Sequence, residues 1–270
     1  MFPFFHHDYR SPVNHFMTTI NILPLEDIDP NWRFETKYRI NTSQYLAIKN
    51  AIVPYLKPDP FTQRSPTKKY FVRSLYFDTW DFKLYSEKID GVCDRMKFRI
   101  RTYGINSSLN PDIRVEIKVR KGNIIEKYGS LINYLDHQNF MKYRNWGPSD
   151  DPVLMEFLRY VHKWNLRPKT LVQYFREGYQ SRAHEEIRLT FDHQIRSSSS
   201  KELFPENIIW HWQHLSEIVL EIKHKNKTPL WLNEIIQKFN LKVVSNSKYI
   251  NSIEFSERNR IDSSQYFLHG

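Results

Sequence analysis

Cysteine occurs once in this chain of 270 residues, at Cys93. A single thiol excludes an internal disulfide and a multi-cysteine zinc site, and it fits a reducing compartment. No nucleophile motif surrounds Cys93, so it reads as a plain structural thiol. No apolar run approaches the ~18–20 residues that a membrane-spanning helix needs. Met1–Asp8 lacks the apolar core of a signal peptide. These absences predict a cytoplasmic chain without a transmembrane segment. Acidic residues are in deficit, 30 against 40 lysines and arginines, giving a net charge of +10. That excess favours anionic partners: nucleotides, inorganic phosphates, nucleic acid or a lipid surface. An RNP-type aromatic motif, a zinc finger and a dense basic tail are all missing, which argues against nucleic acid. What is present suits one large folded domain, with 40% hydrophobic and 15% aromatic residues.

The charges are patterned. Three stretches set a glutamate and a lysine two residues apart: Glu35-Thr-Lys37, Glu116-Ile-Lys118 and Glu221-Ile-Lys223. A strand alternates faces with a period of two, so each pair shares one face. Lys97, Arg99 and Arg101 share a face in the same way, as do Arg114, Glu116, Lys118 and Arg120. Their alternates Phe98, Ile100, Val115, Ile117, Val119, Leu220 and Ile222 are apolar. Taken singly, each strand reads as ordinary solvated sheet surface. Together the cations outnumber their acidic neighbours, and like charges opposed across a sheet are destabilising. A sheet closed around them repels itself unless an anion occupies it. Periodicity leaves open whether the charged face turns inward or outward.

Along the chain, residues 1–32 read as an appended arm broken by Pro3, Pro12, Pro24 and Pro30, with His6-His7-Asp8 unassigned. Strands are expected at 33–40, 70–78, 94–103, 112–120, 124–128, 170–179, 186–192 and 215–224, with a short one at 241–244. Helices are expected at about 41–55, 130–143, 152–164 and 229–239, the third opened by Pro152. Ser197–Ser200 reads as a loop without a packing role, and the tail at 257–270 as loose. Asp78 and Asp192 read as caps at strand ends, and Tyr38 and Tyr103 as core tyrosines. The reading is α+β, with close strand spacing implying antiparallel pairing.

Eight motifs occur in a fixed order: Arg33-Phe-Glu-Thr-Lys-Tyr38, Val72-Arg-Ser-Leu-Tyr-Phe-Asp78, Arg95-Met-Lys-Phe-Arg-Ile-Arg-Thr-Tyr103, Val115-Glu-Ile-Lys118, Val172-Gln-Tyr-Phe-Arg176, Ile187-Arg-Leu-Thr-Phe-Asp192, Val219-Leu-Glu-Ile-Lys223 and Ser247-Lys-Tyr249. In this the chain resembles the VTC (vacuolar transporter chaperone) domain, the polyphosphate polymerase branch of the CYTH-like triphosphate tunnel metalloenzymes. The resemblance covers 33–256. It implies an antiparallel eight-stranded tunnel barrel with a charged lumen, flanked by helices.

The resemblance also implies roles. Lys37, Arg99, Arg101, Lys118, Arg176 and Arg188 match residues that stabilise phosphoryl transfer. Lys127, Tyr174, Ser247 and Lys248 match phosphate- or nucleotide-binding positions. Glu221 matches a metal ligand, joined by Glu35, with manganese or magnesium as the ion; Glu116 could join that shell too, but reads rather as a residue that pairs with neighbouring lysines and arginines to position them. Hydrolase and cyclase members of the wider superfamily open with Glu-x-Glu-x-Lys. Here Arg33 replaces the first glutamate, which argues against two-metal hydrolysis. The implied activity transfers the ATP γ-phosphate to growing inorganic polyphosphate, releasing ADP. A tunnel triphosphatase and a non-catalytic polyphosphate binder stand as alternatives, and a membrane partner is left open.

Overall fold

Alternation of charged and apolar residues builds one antiparallel sheet, in a computed structural model that describes residues 34–107, 111–122, 124–183, 186–225 and 227–256. The arm at 1–32, with His6-His7-Asp8, and the tail at 257–270 lie outside the described residues. The first half holds β1 (Phe34–Ile40), α1 (Thr42–Ile52), β2 (Leu56–Pro58), α2 (Pro60–Arg64), β3 (Tyr70–Asp78), α3 (Lys83–Ile89), β4 (Arg95–Thr102), β5 (Ile113–Lys121) and β6 (Ile124–Ile132). Next come α4 (Tyr134–Tyr143), α5 (Pro152–Lys163), β7 (Arg167–Ser181), β8 (Ile187–Ser198), β9 (His211–Trp212), β10 (Ile218–His224) and α6 (Leu230–Lys238). A last helix, α7, spans 248–256.

Eight strands pair in the order β1-β10-β8-β7-β3-β4-β5-β6, while β2 and β9 add to β7 and β8 off this path. The sheet thus has ten described strands and is not closed, in place of the expected eight-stranded barrel. Its ends still curl together, since Lys118 on β5 reaches Glu35 on β1 at 3.8 Å. Backbone closure is absent because another segment lies along β1. Val243 bridges Tyr38, and the Val244 amide donates to the Lys37 carbonyl at 2.8 Å. This single bridge stands where a strand at 241–244 was expected.

The outward faces are apolar, as the alternation requires. Phe98, Ile100, Val115, Ile117 and Leu75 pack against Phe140 of α4 and Phe157 of α5. Leu189, Phe191, Leu220 and Ile222 pack against Ile48 and Ile52 of α1 and Leu232 and Ile235 of α6. Asn41 opens α1 with a reciprocal capping box to Gln44. Buried Glu177 ties α1 to β7, accepting from Tyr45 Oη at 2.6 Å and Lys49 Nζ at 2.8 Å.

Two boundaries differ from expectation for packing reasons. Residues 130–132 extend β6 rather than starting α4, because Asn133 is the residue that caps the helix. Ser197 and Ser198 end β8 buried, the latter accepting from Thr170 Oγ1 at 3.0 Å, so this serine run does have a packing role. The inner face holds a surprise as well. Val72, Val172 and Val219 are apolar and are covered by Tyr249, Ile250 and Ile253 of α7. One side of the lumen is therefore plugged by a helix that the sequence reading left out.

Gly178 sets where α2 sits. A Cβ there would lie 1.9 Å from Asp59 Oδ2, the side chain that caps α2. Gly178→Ala is therefore expected to push α2 off β7 and to cost about 1–3 kcal/mol through overpacking. Urea denaturation checks this; a variant of unchanged stability refutes the tight seat.

Candidate active site

Strand alternation turns the charged residues into one cavity of about 410 Å³. All twelve residues named from the resemblance line it: Glu35, Lys37, Arg99, Arg101, Lys118, Lys127, Tyr174, Arg176, Arg188, Glu221, Ser247 and Lys248. They come from six strands, β1, β4, β5, β6, β7 and β8, together with β10 and the segment leading into α7. Cys93 is exposed and is not among the lining residues.

Like charges meet across the ladder. Arg95 faces Arg120, Lys97 faces Lys118, and Arg101 faces Arg114 between β4 and β5. Lys118 also faces Lys127 on β6. Carboxylates offset part of this repulsion, each serving two cations. Glu116 pairs with Arg99 and lies 3.8 Å from Arg101. Glu221 lies 2.5 Å from Lys223 and 3.6 Å from Lys37, while Glu35 lies 2.7 Å from Lys37 and 3.8 Å from Lys118. Asp192 accepts from Arg176 at 2.6 Å and lies 2.5 Å from Lys248. Asp192 is thus a buried partner of two cations, not a cap. Asp78 does cap, accepting from the Thr79, Leu84 and Tyr85 amides at the start of α3.

Charge states follow from this arrangement. Burial raises the pKa of Glu116 and Asp192, but Arg101 and Arg99 overcome it for the first, and Arg176 and Lys248 for the second; both end at about 2. For Glu35 the largest influence is the charge of Glu221, which raises its pKa; Lys37, Lys118 and Lys223 outweigh that and hold it low. Burial raises Glu221, yet Lys223 and Lys37 keep it well below the usual carboxylate range. Three lysines are lowered too, which for them favours the neutral form. Burial depresses Lys97, Lys118 and Lys127, helped by neighbouring cations, and brings Lys118 to about 8. Lys97 donates to Ser247 Oγ at 2.8 Å, a hydroxyl rather than an acid.

The donor set fits a small hard cation. Glu35 and Glu221 offer carboxylate oxygens close enough to repel each other, and no group of three or more His, Cys, Asp or Glu converges among the described residues. Magnesium characteristically binds through one or two carboxylates plus substrate phosphates and water, so two carboxylates beside a cationic cradle match it.

Several lining residues were not assigned from the sequence. Lys97 and Lys223 lie on alternations that were read, yet drew no role. Asn246 lines the cavity with its buried Nδ2 unpartnered among the described residues. Phe61, Tyr70 and Tyr103 cluster at one mouth, with ring centroids 5.5–6.2 Å apart. Tyr103, expected in the core, is half-buried there.

Residues 32–256 match the family model described as the VTC domain. No curated protein matches the sequence. Solved structures similar to this chain include a proposed adenylate cyclase from Bacillus halodurans, at 14% identity and a TM-score of 0.49, covering 80% of this chain and 94% of that one. Another is the PH1819 protein from Pyrococcus horikoshii OT3, at 11% identity and a TM-score of 0.43, covering 84% of this chain and 99% of that one.

The carboxylate pairs set an acid limit on stability. Glu116 and Asp192 titrate at about 2 when folded, against ordinary values of 4.5 and 3.8. Their contribution is fully present above the unfolded values and is lost as pH falls through about 2. Glu116→Gln is expected to lower stability at pH 7 by about 3 kcal/mol and to flatten the loss between about pH 4.5 and 2. Chemical denaturation at several pH values checks this; parallel profiles for both proteins refute it.

Proposed function

The chain belongs to the VTC domain family, and from that premise we propose that it is a polyphosphate polymerase. It would transfer the γ-phosphoryl group of ATP to a growing inorganic polyphosphate chain. The observation that carries this reading is the pairing of every lining carboxylate with two cations, beside cations left in excess. Such a cavity is built to hold phosphate oxygens, and its carboxylates are occupied in holding the cations in place.

The chemistry matches that inventory. Phosphoryl transfer needs positioning and charge neutralisation more than covalent help. In the reaction the bond between the γ-phosphorus and the β,γ-bridging oxygen breaks, ADP keeps that electron pair, and an oxygen of the terminal phosphate forms the new bond. The acceptor oxygen is already ionised near neutral pH, so no general base is required. Arg99 and Arg101, held by Glu116, present guanidinium forks to the reacting phosphoryl group, and Arg176 does so from β7, two strands along the sheet from β4, held by Asp192. Lys37, Lys118, Lys127, Arg188 and Lys248 neutralise the remaining phosphates, with Tyr174 and Ser247 as hydroxyl partners. Glu221 and Glu35 would hold a magnesium or manganese ion, which when bound shares in neutralising phosphate charge. Hydrolysis instead needs a group to orient and deprotonate water, and here Glu116 is committed to Arg99 and Arg101 while Glu35 and Glu221 are the residues that would hold the metal.

Incubation with γ-labelled ATP and manganese tests the activity directly. A ladder of long polyphosphate with ADP is expected, and loss of the ladder in Glu221→Gln. Arg99→Ala is expected to lower kcat by about 10²–10³, the equivalent of about 2.7–4 kcal/mol. Release of orthophosphate alone would make the protein a hydrolase, and binding without turnover would make it a receptor.

Proton linkage gives an independent check. Burial brings Lys118 down to about 8, and Lys97 and Lys127 are also depressed. A bound polyanion raises all three, so triphosphate binding near pH 8 is expected to take up protons. Calorimetry in two buffers of different ionisation enthalpy measures this; identical heats refute it.

A further inference from the structure

Growth of a phosphate chain needs no general base, because its acceptor oxygen is already ionised, but a chain must first start on something. A hydroxyl acceptor is not ionised at neutral pH and needs a base beside it. Two serines line the cavity, Ser245 and Ser247. Ser247 is half-buried, and Lys97 Nζ lies 2.8 Å from its Oγ. A lysine amine at hydrogen-bond distance from a serine hydroxyl is one of the arrangements that activate serine as a nucleophile.

Lys97 is placed to be that base. No carboxylate pairs with it among the described residues, and its hydrogen bond goes to the hydroxyl. Lys118 faces it across the ladder from β5. Burial, then Lys118 and Lys37, then Lys88 and Arg95, drive it toward the neutral amine. Lys127 shares the depression and the lack of an acid; what sets Lys97 apart is the serine hydroxyl on its amine. A triphosphate in the cavity strengthens that amine as a proton acceptor, and Ser247 is the donor bonded to it. Water would have to displace the hydroxyl to use the same base.

The plug fixes Ser247 from the other side. Its Oγ also accepts from the Ile250 amide at 3.4 Å, and its carbonyl from the Asn251 amide at 2.9 Å, so it caps α7. The positive end of a helix favours negative charge gathering at its cap. Tyr249, two residues on, stacks on Tyr76 with 5.4 Å between centroids and donates to buried Asp78. Lys248, between them, lies 2.5 Å from Asp192. The helix that covers one side of the lumen thus holds a hydroxyl in its wall.

We propose that Ser247 is the first acceptor of the polymerase: its hydroxyl takes a γ-phosphoryl group from ATP, and the polyphosphate chain then grows on that phosphoserine. The proposal rests on the polymerase reading and deepens it. In the first step Ser247 Oγ bonds to the γ-phosphorus as the bond to the β,γ-bridging oxygen breaks. ADP keeps that electron pair. The hydroxyl proton passes to the lone pair of Lys97 Nζ, leaving an ammonium beside the new phosphate. Each later step uses an ionised oxygen of the serine-bound chain, so Lys97 serves as a base once.

Incubating the full chain with γ-labelled ATP and manganese, then mapping acid-stable label by peptide mass spectrometry, tests this. Label is expected on Ser247, with polymer tied to the protein until alkali releases it. Lys97→Arg keeps the charge but cannot accept the proton, and is expected to slow labelling about 10²-fold. Ser247→Thr, which keeps a hydroxyl, is expected to keep the label. Ser247→Ala is expected to lower unprimed synthesis about tenfold more than synthesis primed with inorganic triphosphate. Equal loss in both would make Ser247 a phosphate ligand only and overturn the proposal. Long polymer from wild type with no label on Ser247 would overturn it too, leaving the polymerase reading intact. If wild type makes no polymer with or without the primer, the polymerase reading fails and takes the proposal with it.

Discussion

Repulsion among cations on one concave sheet face is the constraint to which the rest of this structure answers. Opposed pairs such as Lys97 and Lys118, or Lys118 and Lys127, are unfavourable in any sheet, and curvature brings further strands within reach. The chain meets this with few carboxylates, each shared. Glu116, Asp192, Glu221 and Glu35 all sit between two cations, so each negative charge offsets two positive ones. The remainder is offset by depressed lysine pKa values, a solution open to ammonium groups but not to guanidinium. Glu116 is held by two arginines, Glu35 and Glu221 by lysines, and Asp192 by one of each, while Lys97 and Lys127 lie without an acid partner among the described residues. An anion relieves both at once.

Such a face survives only because the other one is strongly apolar. Phe98, Ile100 and Val115 alternate with Arg99, Arg101 and Arg114, so the strands that carry the repulsion also carry the core. Slipping the register by one residue would bury cations under α5 and expose the core, which pins the strands in place. Glu177 and Gly178 continue the same logic on β7. One anchors α1 and the other seats α2, next to inward-facing Arg176. Helices outside the sheet thus fix side-chain positions inside it.

Much of this was legible in the sequence. Period-two alternation located most of the long strands and their two faces, because a half-charged strand has no other stable placement. Sign bias showed that the charged face wanted an anion. The resemblance supplied the turn of that face inward, which periodicity could not decide, and it named twelve residues that prove to share one cavity. Three things stayed hidden for physical reasons. Barrel closure depends on what reaches the free edge of β1, and no local pattern marks Val243 and Val244 as that segment. The α7 plug is short, and although Ser247 can cap it, the Ser247-Lys-Tyr249 run read only as a closing motif within 33–256, with no helix assigned to it. Asp192 sits in a strand with ordinary spacing, and its two partners arrive from β7 and α7, distant in sequence.

The distribution of unpaired charge also bears on the proposal that this cavity serves a transferase rather than a hydrolase. Water is a poor nucleophile that must be oriented and deprotonated, which calls for an acceptor without a prior partner. Here Glu116 is held between Arg99 and Arg101, and Glu35 and Glu221, which also lie between cations, are the pair that would hold the metal. A phosphate chain end needs none of that help. It arrives ionised and is drawn toward the same cations that bind the donor. Repulsion between two approaching phosphates, the chief obstacle to joining them, is met by the positive excess that makes the empty sheet unfavourable. On the proposed reaction, the repulsion built into the sheet is in this sense the preorganisation that phosphoryl transfer uses.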